Sequence, residues 1–586
     1  MFAQRTSASL KPASSLLVIA ALGIGGVMPQ TAPAQSIGYD TVGSSGSSGE
    51  DQPVYAPDDK ASKRAGKSGR GGKGGKQVYI APYLELDQIV DAQLSPGNDV
   101  LTYTQAAVGV DLGISGRNNA ASASVRYERH FGWGKNARDG DVISGIARGY
   151  ATVIPGFTIE AGALATQANV ENGGAAVRSG LVDDESTTNI YSIYGGPSLT
   201  TRAGDVNLSA NYRAGFTKVE NDNAFRASPT GAAADVFDKS TVQVADAEAG
   251  VAPGTVLPVG LAVAGSFYQE DVSNLDQRVR DMQGRGMVTV PVSRTVQVTG
   301  AIGYEDVEVS SRDARRDEDG DPIIGSDGRY VTDKSSPRVL AYDVSGLTWE
   351  VGVMWRPSAR TALSAYVGKR YGSTSYGGTF SYAPNDRSAL SVAVYDNIAG
   401  FGGQVNRVLD KLPDDFEVVR DPLTGNITSC VNTLDGNGCF GGALGSVRSS
   451  TFRARGIAAN YTMRIGQLNA GIGAGYDRRK FIAASGTVLA AANGVLDENY
   501  WLAAYLSGAL GDSAGWSTNA YANWLTTSDP LAGDVTGYGA TASYYRMLTR
   551  RLRATAAVGI DGISRKDAAI DDIWTASALL GLRYGF

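Results

Sequence analysis

The sequence predicts an all-β protein, a large antiparallel transmembrane β-barrel of roughly 22 strands preceded by a signal peptide and a disordered basic arm. Three observations predict this fold: alternation of apolar and polar residues over segments of about ten residues, tight turns at every second connection, and no long apolar run. Because no run of about 18 apolar residues follows the amino-terminal signal, membrane-spanning helices are excluded. A membrane protein without them must close its strands into a barrel, where every backbone group is bonded.

The final stretch, Trp574 to Phe586, shows the alternation most clearly. One register is mostly small or polar, and the other is apolar or aromatic and contains Trp574, Ala576, Ala578, Leu580, Leu582, Tyr584 and Phe586. An aromatic residue at the end of such a strand resembles the assembly signal of Gram-negative outer-membrane barrels. This resemblance implies outer-membrane lipid and the barrel-assembly machinery as partners. The alternative is the last strand of a soluble sandwich, but the rest of the chain favours the barrel.

The amino-terminal part consists of two segments that are not expected to join the barrel. Residues 1–34 predict a signal peptide, with an apolar core from Leu16 to Met28 and a small-residue cleavage site at 32–34. Residues 35–76 predict a disordered arm rich in glycine, serine and lysine, because this composition cannot bury a core. Its basic residues favour a solvated tether. The alternative is contact with an acidic polysaccharide, a lipid headgroup, a periplasmic partner or the barrel lumen.

Residues 77–586 predict the barrel itself. Strands are expected near 77–90, 101–115, 120–133, 142–153, 157–170, 188–201, 205–219, 240–251, 256–271, 279–291, 295–310, 347–356, 361–371, 375–383, 388–398, 450–464, 468–481, 497–510, 515–525, 534–547, 551–563 and 572–586. Their second face is small and polar, which suits a hydrated lumen. The lumen is expected to be lined by residues such as Gln105, Asp111, Arg126, Glu128, Asn207, Asn211, Arg213, Gln297 and Glu305.

The connections between the predicted strands alternate between tight turns and long polar loops. Turns such as 154–156 and 202–204 contain the glycine and proline that hairpins require, whereas loops such as 220–239 are long and polar. Short turns on one side and long loops on the other are typical of outer-membrane barrels, whose short turns face the periplasm. We therefore expect a location in the Gram-negative outer membrane with both termini periplasmic. Gly372 to Thr374 is expected to be the one tight connection on the outer side.

The composition excludes several kinds of chemistry. The net charge of −6 argues against nucleic-acid binding, and a single histidine with two cysteines rules out a four-ligand zinc cluster. The acidic run at 317–321 lacks the ligand spacing of a calcium loop, so a solvated loop is the better interpretation. His130 lies on the polar face near the end of a strand, and we assign it no role. No catalytic residue, metal ligand or cofactor is predicted, and an enzyme is the least favoured class.

Cys430 and Cys439 lie in the longest connection, residues 399–449. In an exported protein a disulfide between them is expected, and it would stiffen the loop locally. A redox or metal pair is the less favoured alternative. A connection of this length is seldom idle, and it is expected either to fold inward and constrict the lumen or to stand out as a binding surface.

The stretch from Leu347 to Asn397 carries a family resemblance. It contains Trp349-Glu350-Val351-Gly352-Val353-Met354-Trp355-Arg356-Pro357, then Gly368-Lys369-Arg370-Tyr371-Gly372 and Ser391-Val392-Ala393-Val394-Tyr395. This stretch resembles the outer-membrane β-barrel family associated with exosortase (PEP-CTERM) and exopolysaccharide systems. The resemblance implies a surface-polymer context but supplies no catalytic residues. Trp349 and Trp355 share one face and are expected, with Trp574, Tyr584 and Phe586, to belong to aromatic girdles, although packing in the lumen is the alternative for both tryptophans.

The sequence therefore favours an outer-membrane channel, a passive or gated conduit for a solute or surface polymer linked to exopolysaccharide export. A barrel of this size also occurs in transporters with a folded amino-terminal plug, for which residues 35–76 are too short and too rich in glycine. The alternative function is a structural or surface-binding barrel that supports cell-envelope polymer assembly without conducting.

Overall fold

Twenty-two strands form one closed antiparallel β-barrel in the computed structural model. The structure describes residues 77–133, 139–170, 176–177, 187–221, 238–326, 329–412, 416–432, 447–448, 450–529, 533–566 and 572–586. The predicted signal peptide (1–34) and basic arm (35–76) lie outside the described residues. Within the part that the structure describes, no helix is both long enough and apolar enough to cross a membrane.

The strands follow one another around the barrel in chain order. They are β1 (Gln77–Ser95), β2 (Val100–Ser115), β3 (Asn119–Trp133), β4 (Gly140–Ile154), β5 (Phe157–Val170), β6 (Ala176–Val177), β7 (Thr187–Ala203), β8 (Val206–Asn221), β9 (Lys239–Val251), β10 (Gly260–Val272), β11 (Gln277–Pro291), β12 (Val296–Ser311), β13 (Val339–Ser358), β14 (Thr361–Arg370), β15 (Ser373–Asn385), β16 (Ser388–Ala399), β17 (Glu417–Arg420), β18 (Ile427–Asn432), β19 (Phe452–Ile465), β20 (Leu468–Phe481), β21 (Leu496–Ala509), β22 (Ala514–Thr527), β23 (Val535–Met547), β24 (Leu552–Arg565) and β25 (Ile573–Gly585). β6 is a two-residue strand that pairs antiparallel with the end of β5, and β17 pairs with β18 in a separate hairpin. β25 pairs with β1 and closes the barrel.

The predicted fold class is confirmed, and each of the predicted strands corresponds to an observed one. The largest shift is in β13, which begins at Val339 rather than near 347. The strands could be predicted because a membrane barrel imposes the same constraint on each of them, an apolar face toward lipid and a polar face toward the lumen.

The outer face of the barrel is apolar, as contact with lipid requires, and the inner face is more polar. Large apolar side chains are exposed on the outer surface, including Ile302 at 70%, Leu347 at 73% and Leu580 at 70%. In β25 the exposed residues alternate with buried ones such as Thr575 and Leu579, so the apolar register of the final strand faces outward.

The two ends of the barrel also differ. At one end, here the short-turn end, the strands are joined by turns such as Pro155–Gly156, where the positive φ of 82° requires glycine. The other end, the long-loop end, carries the long connections. The expectation of a single tight connection there was wrong, since 96–99 and 273–276 are tight as well as 371–372. β1 ends at Ser95 rather than near 90, and β11 begins at Gln277 rather than near 279, which shortens both connections.

The connection between β16 and β19 folds into the lumen. We call residues 400–451 the inner segment; its described parts are 400–412, 416–432, 447–448 and 450–451. It contains the helix α1 (Phe401–Asp410) and the β17–β18 hairpin. Of the two expectations for this loop, the inward one is therefore correct for the described residues.

Candidate functional site

The helix α1 begins at the long-loop end, where a buried carboxylate holds its first turn. The backbone N–H groups of Gly400 and Gly403 donate to the two oxygens of Glu270, at 2.6 and 2.9 Å. Glu270 is fully buried near the end of β10, and it also accepts the hydroxyls of Ser240 and Tyr268 at 2.7 and 2.6 Å. A negative charge at a helix N-terminus satisfies free N–H groups and complements the helix dipole.

The first turn is rich in glycine because the helix approaches the wall so closely. A Cβ atom on Gly403 would lie 1.9 Å from the hydroxyl oxygen of Tyr268 and 2.4 Å from Glu270. The Tyr268 ring also stacks against Arg407 of the same helix, with the guanidinium carbon 4.8 Å from the ring centroid.

One face of α1 is apolar and packs on an apolar patch of the barrel interior. Phe401, Val405 and Leu409 recur at helical spacing and are each no more than 2% exposed. They pack, together with Leu412, against inward-facing residues of four neighbouring strands: Ile146 of β4, Leu164 of β5, Ile190 of β7 and Val219 of β8. An apolar patch inside an otherwise polar lumen is explained by the helix that covers it.

The other contacts of α1 are polar and lead toward the middle of the barrel. The side-chain amide of Asn406 donates to Thr217 Oγ1 at 3.0 Å. At the end of the helix, Asp410 pairs with Arg213 of β8 at 2.8 Å. Arg213 also contacts Glu160 at 3.3 Å, and Glu160 lies 3.5 Å from Arg148. Burial raises the pKa of Asp410 to about 6, although Arg213 and Arg148 act in the opposite direction.

The β17–β18 hairpin then reaches the opposite wall. On one side Arg420 donates to Ser144 Oγ at 2.6 Å and to Ser124 Oγ at 3.1 Å, which ties it to β4 and β3. On the other side the hydroxyl of Thr541, in β23, donates to Asp421 at 2.8 Å. Leu423 at the tip packs on a cluster from β1, β24 and β25: Ile89, Ala557 and Leu579. The inner segment therefore crosses the lumen.

The segment returns to the long-loop end through a second set of buried contacts. The Arg448 guanidinium lies 3.1 Å from Asp497 and 3.1 Å from Asp529, and Arg448 is 4% exposed. The N–H of Thr451 donates to the side chain of Gln277 at 3.2 Å. Both ends of the inner segment are thus fastened at the same end of the barrel.

The nine residues that the sequence predicts to line the lumen differ in how deeply they are buried. Arg126 and Glu128 bond to each other, and Arg126 also pairs with Glu85 at 2.5 Å. Asp111 pairs with Arg583 at 3.0 Å, and Glu305 lies 3.7 Å from Arg370. Gln105, Arg126, Glu128, Arg213 and Glu305 are buried, whereas Asp111, Asn207, Asn211 and Gln297 are half-buried. Of the nine, Arg213 is the one that bonds the inner segment directly in the contacts described above.

A small cavity of about 110 Å³ remains between α1 and the wall. Asn406, Arg407 and Asp410 line it from the helix, and Asp246, Arg285 and Glu350 line it from the strands. A polar space therefore remains in the lumen beside the helix.

The remaining predicted residues lie away from the inner contacts. Trp349 and Trp355 are on the outer surface, 49% and 38% exposed, and Trp574 packs edge-on against Tyr538 with ring centroids 4.9 Å apart. Tyr584 and Phe586 are exposed at the short-turn end. His130 contacts Glu128 at 3.5 Å.

Neither the predicted disulfide nor a metal site can be placed in the described structure. Cys439 and the side chain of Cys430 lie outside the described residues. Among the residues that are described, no group of three histidine, cysteine or carboxylate side chains is arranged to hold a metal ion.

Sequence reasoning missed Glu270, Asp410, Arg420 and Asp421, the polar residues through which wall and inner segment meet. The available signal was apolar residues on the polar register of β4 to β8, such as Ile146, Ile190 and Val219. Apolar side chains facing a lumen indicate that something inside the barrel covers them.

The closed barrel and its apolar outer surface together show which class of protein this is. A closed 22-strand barrel with an apolar outer surface and a charged interior is built to sit in a bilayer. The protein is an outer-membrane β-barrel. No protein-family model and no curated protein matches this barrel's sequence.

Solved structures with similarity to this chain include the following three. The FrpB iron transporter from Neisseria meningitidis is 10% identical, with a TM-score of 0.41 over 86% of this chain and 81% of that one. The ferric-catecholate import receptor Fiu from E. coli K12 is 10% identical, with a TM-score of 0.40 over 86% and 81%. The alcaligin receptor FauA from Bordetella pertussis is 10% identical, with a TM-score of 0.35 over 86% and 76%.

Proposed function

We propose that this outer-membrane barrel is a gated conduit whose lumen is closed by its own inner segment. The observation that carries the proposal is the path of residues 400–451, which contact β8 and β10 on one side of the lumen and β23 to β25 on the other. A wide barrel needs no such crossing element to be stable, because its backbone bonds close upon themselves.

The inner segment can move without unfolding the barrel. In the described structure β17 and β18 pair only with each other, so the wall keeps all its strand pairings when the hairpin leaves. Its polar contacts, such as Asp421 with Thr541, exchange for water at little net cost, because each hydrogen bond contributes only about 1 kcal/mol. The apolar face of α1 supplies the main resistance to opening.

The proposed cargo is a solute or surface polymer. A link to exopolysaccharide export rests on the resemblance of residues 347–397 to the barrels of exosortase systems. A polymer that passes through the lumen would meet the inner segment on its path. The long-loop end would then face the cell exterior, and both barrel termini would be periplasmic.

A second function, a barrel that stays closed and supports envelope assembly, is favoured by one observation. The cluster around Phe401 and Leu409 is as dry as a protein core, and burial of such side chains contributes about 1.5–3 kcal/mol each. Such a contact suits a permanent closure as well as a gate.

Single-channel conductance of residues 35–586 in planar bilayers separates the two functions. We expect rare openings for the intact protein, frequent openings for Glu270→Ala, and large stable steps when residues 405–445 are deleted. Glu308→Ala is the matched control, because Glu308 lies near the same end but bonds Arg280 rather than the inner segment. Silence from all variants, with folded barrels confirmed by circular dichroism, would leave the non-conducting function.

A further inference from the structure

A second cavity, separate from the lumen contacts, lies at the long-loop end. The connection between β12 and β13 folds back over the start of β9, the end of β10 and the start of β11. It borders a cavity of about 1390 Å³ that is open to solvent. We call this space the rim chamber. Its volume exceeds the 300–1,000 Å³ or so of ordinary ligand pockets, so it has room for more than one sugar unit.

The wall of the rim chamber is a formed structure. Isolated bridges join Ala314 to Thr332 and Ile324 to Tyr330 within the connection. Asp313 accepts the N–H of Val488 at 2.9 Å, and an apolar cluster below contains Leu275, Ala314, Ala483 and Leu489. The connection is therefore held against two neighbouring loops rather than standing free.

Positively charged side chains outnumber carboxylates in the lining of the rim chamber, and a smaller share of them have an ion-pair partner. Six cations and four carboxylates line it: Lys239, Arg278, Arg315, Arg316, Lys334 and Arg338, with Asp271, Asp276, Asp313 and Asp333. Each carboxylate is already engaged: Asp271 by Arg278 at 2.5 Å, Asp276 by Arg312 at 3.3 Å, Asp313 by Arg316 at 3.1 Å, and Asp333 by Ser335 at 2.5 Å.

Three cations of the chamber have no such partner. Among the described residues, no carboxylate oxygen lies within the 4.0 Å of an ion pair from Arg315, Lys334 or Arg338. Arg338 donates only to the backbone carbonyl oxygen of Asp276, at 2.5 Å. Partial burial lowers the pKa of Arg338, as do the nearby Arg278 and Arg312, whereas Asp276 and Asp271 act in the opposite direction.

We propose that the rim chamber binds an oxyanion-bearing solute, either a carboxylated saccharide or a phosphate ester. Arginine presents a planar fork that matches two oxygens of a carboxylate or phosphate, and lysine adds a point charge. A cleft lined by one excess charge also concentrates ligands of the opposite charge. None of the lining residues belongs to the inner segment, although Gln277, which lines the chamber, accepts the N–H of Thr451 in that segment.

Isothermal titration calorimetry on the full mature chain in detergent tests this site with three probes. They are tetragalacturonate, which carries carboxylates, inorganic tripolyphosphate, and the neutral maltotetraose. We expect at least one acidic probe to bind, with an affinity that falls as salt is raised, and the neutral sugar not to bind. The tighter of the two acidic probes identifies the source of the oxyanion.

Two variants locate the binding. Arg315→Gln with Lys334→Gln removes two exposed, unpaired cations, and we expect affinity for the acidic probe to fall about tenfold or more. Arg294→Gln, at an exposed arginine of the short-turn end, should leave it unchanged. Adding Arg338→Gln should weaken binding further. The proposal is overturned if neither acidic probe binds, if maltotetraose binds equally well, or if the double variant retains full affinity.

Discussion

Glu270 and Asp410 show what single residues contribute to holding α1 inside the barrel. Glu270 holds the first turn of α1 through two backbone N–H groups, and Asp410 holds the last turn through Arg213. The two carboxylates differ in their surroundings. Glu270 is surrounded by donors, whereas Asp410 lies among Arg213, Arg148, Glu160 and Lys411, and burial outweighs the attraction of the cations.

The raised pKa of Asp410 makes closure depend on pH. In the closed state its pKa is about 6, compared with 3.8 for the free side chain, so the closed state binds the proton more tightly. Closure is therefore strengthened in acid and weakens as pH rises through about 6, by up to about 3 kcal/mol for a shift of this size. Amide hydrogen exchange of residues 401–410, corrected for intrinsic rates, should accelerate from about pH 4 to about pH 6 and level off above about pH 7.

Asp410→Asn provides the control for this effect, because it removes the titrating group but keeps the shape of the side chain. We expect the corrected exchange rate of α1 to become independent of pH in this variant. A wild-type helix whose corrected exchange is flat across the same range would contradict the assignment.

At the scale of elements, α1 is an ordinary amphipathic helix, but its apolar face packs on the inner wall of a barrel. Phe401, Val405 and Leu409 fall at the spacing of a helix face, and their partners are inward-facing residues of barrel strands. Apolar packing joins the helix to the wall here, as it joins Leu423 to Ile89, Ala557 and Leu579. Its removal would expose that apolar patch to water.

Leu409→Ala should weaken the closed state by about 2–5 kcal/mol, since it removes buried methyl groups from a side chain only 2% exposed. The barrel should remain folded, because Leu409 belongs to no strand. Limited proteolysis of the inner segment measures the effect, and cleavage should become faster in this variant. Val408→Ala, at a half-buried neighbour, should change the rate much less. Because Val408 packs at the edge of the same cluster, wild-type rates in both variants are the result that would show that the apolar face does not hold the helix.

The elements differ in how far the sequence predicts them. Each strand repeats one local rule, so period-two alternation was enough to predict the barrel and its strand positions. The inner segment follows no such rule, because its place is decided by contacts between residues far apart, such as Asp421 with Thr541. The same reason explains why Arg126 and Arg213 could be placed on the polar register but not paired with their carboxylates.

At the scale of the whole molecule, the barrel reverses the usual distribution of side chains. Charged residues such as Arg479 and Glu128 are buried inside, while leucine and isoleucine cover the outside. This arrangement is stable only where the outer surface meets hydrocarbon rather than water. The pairing of β1 with β25 completes it, because an open edge could not be tolerated in lipid.

Substitutions to lysine on the two faces test this arrangement. Leu580, 70% exposed on β25, faces outward, so Leu580→Lys should destabilise the bilayer-inserted barrel by about 2–4 kcal/mol if it lies near the midplane. Gln297→Lys places the same side chain at a half-buried position on the polar register of β12, and it should cost much less.

Urea titration of the barrel refolded into lipid vesicles measures both free energies of unfolding. A larger loss for Leu580→Lys than for Gln297→Lys follows from the cost of moving an ammonium group into hydrocarbon, a cost that does not arise where water can reach the side chain. Similar losses for the two variants would mean that the outer surface of the barrel is not in contact with lipid at Leu580.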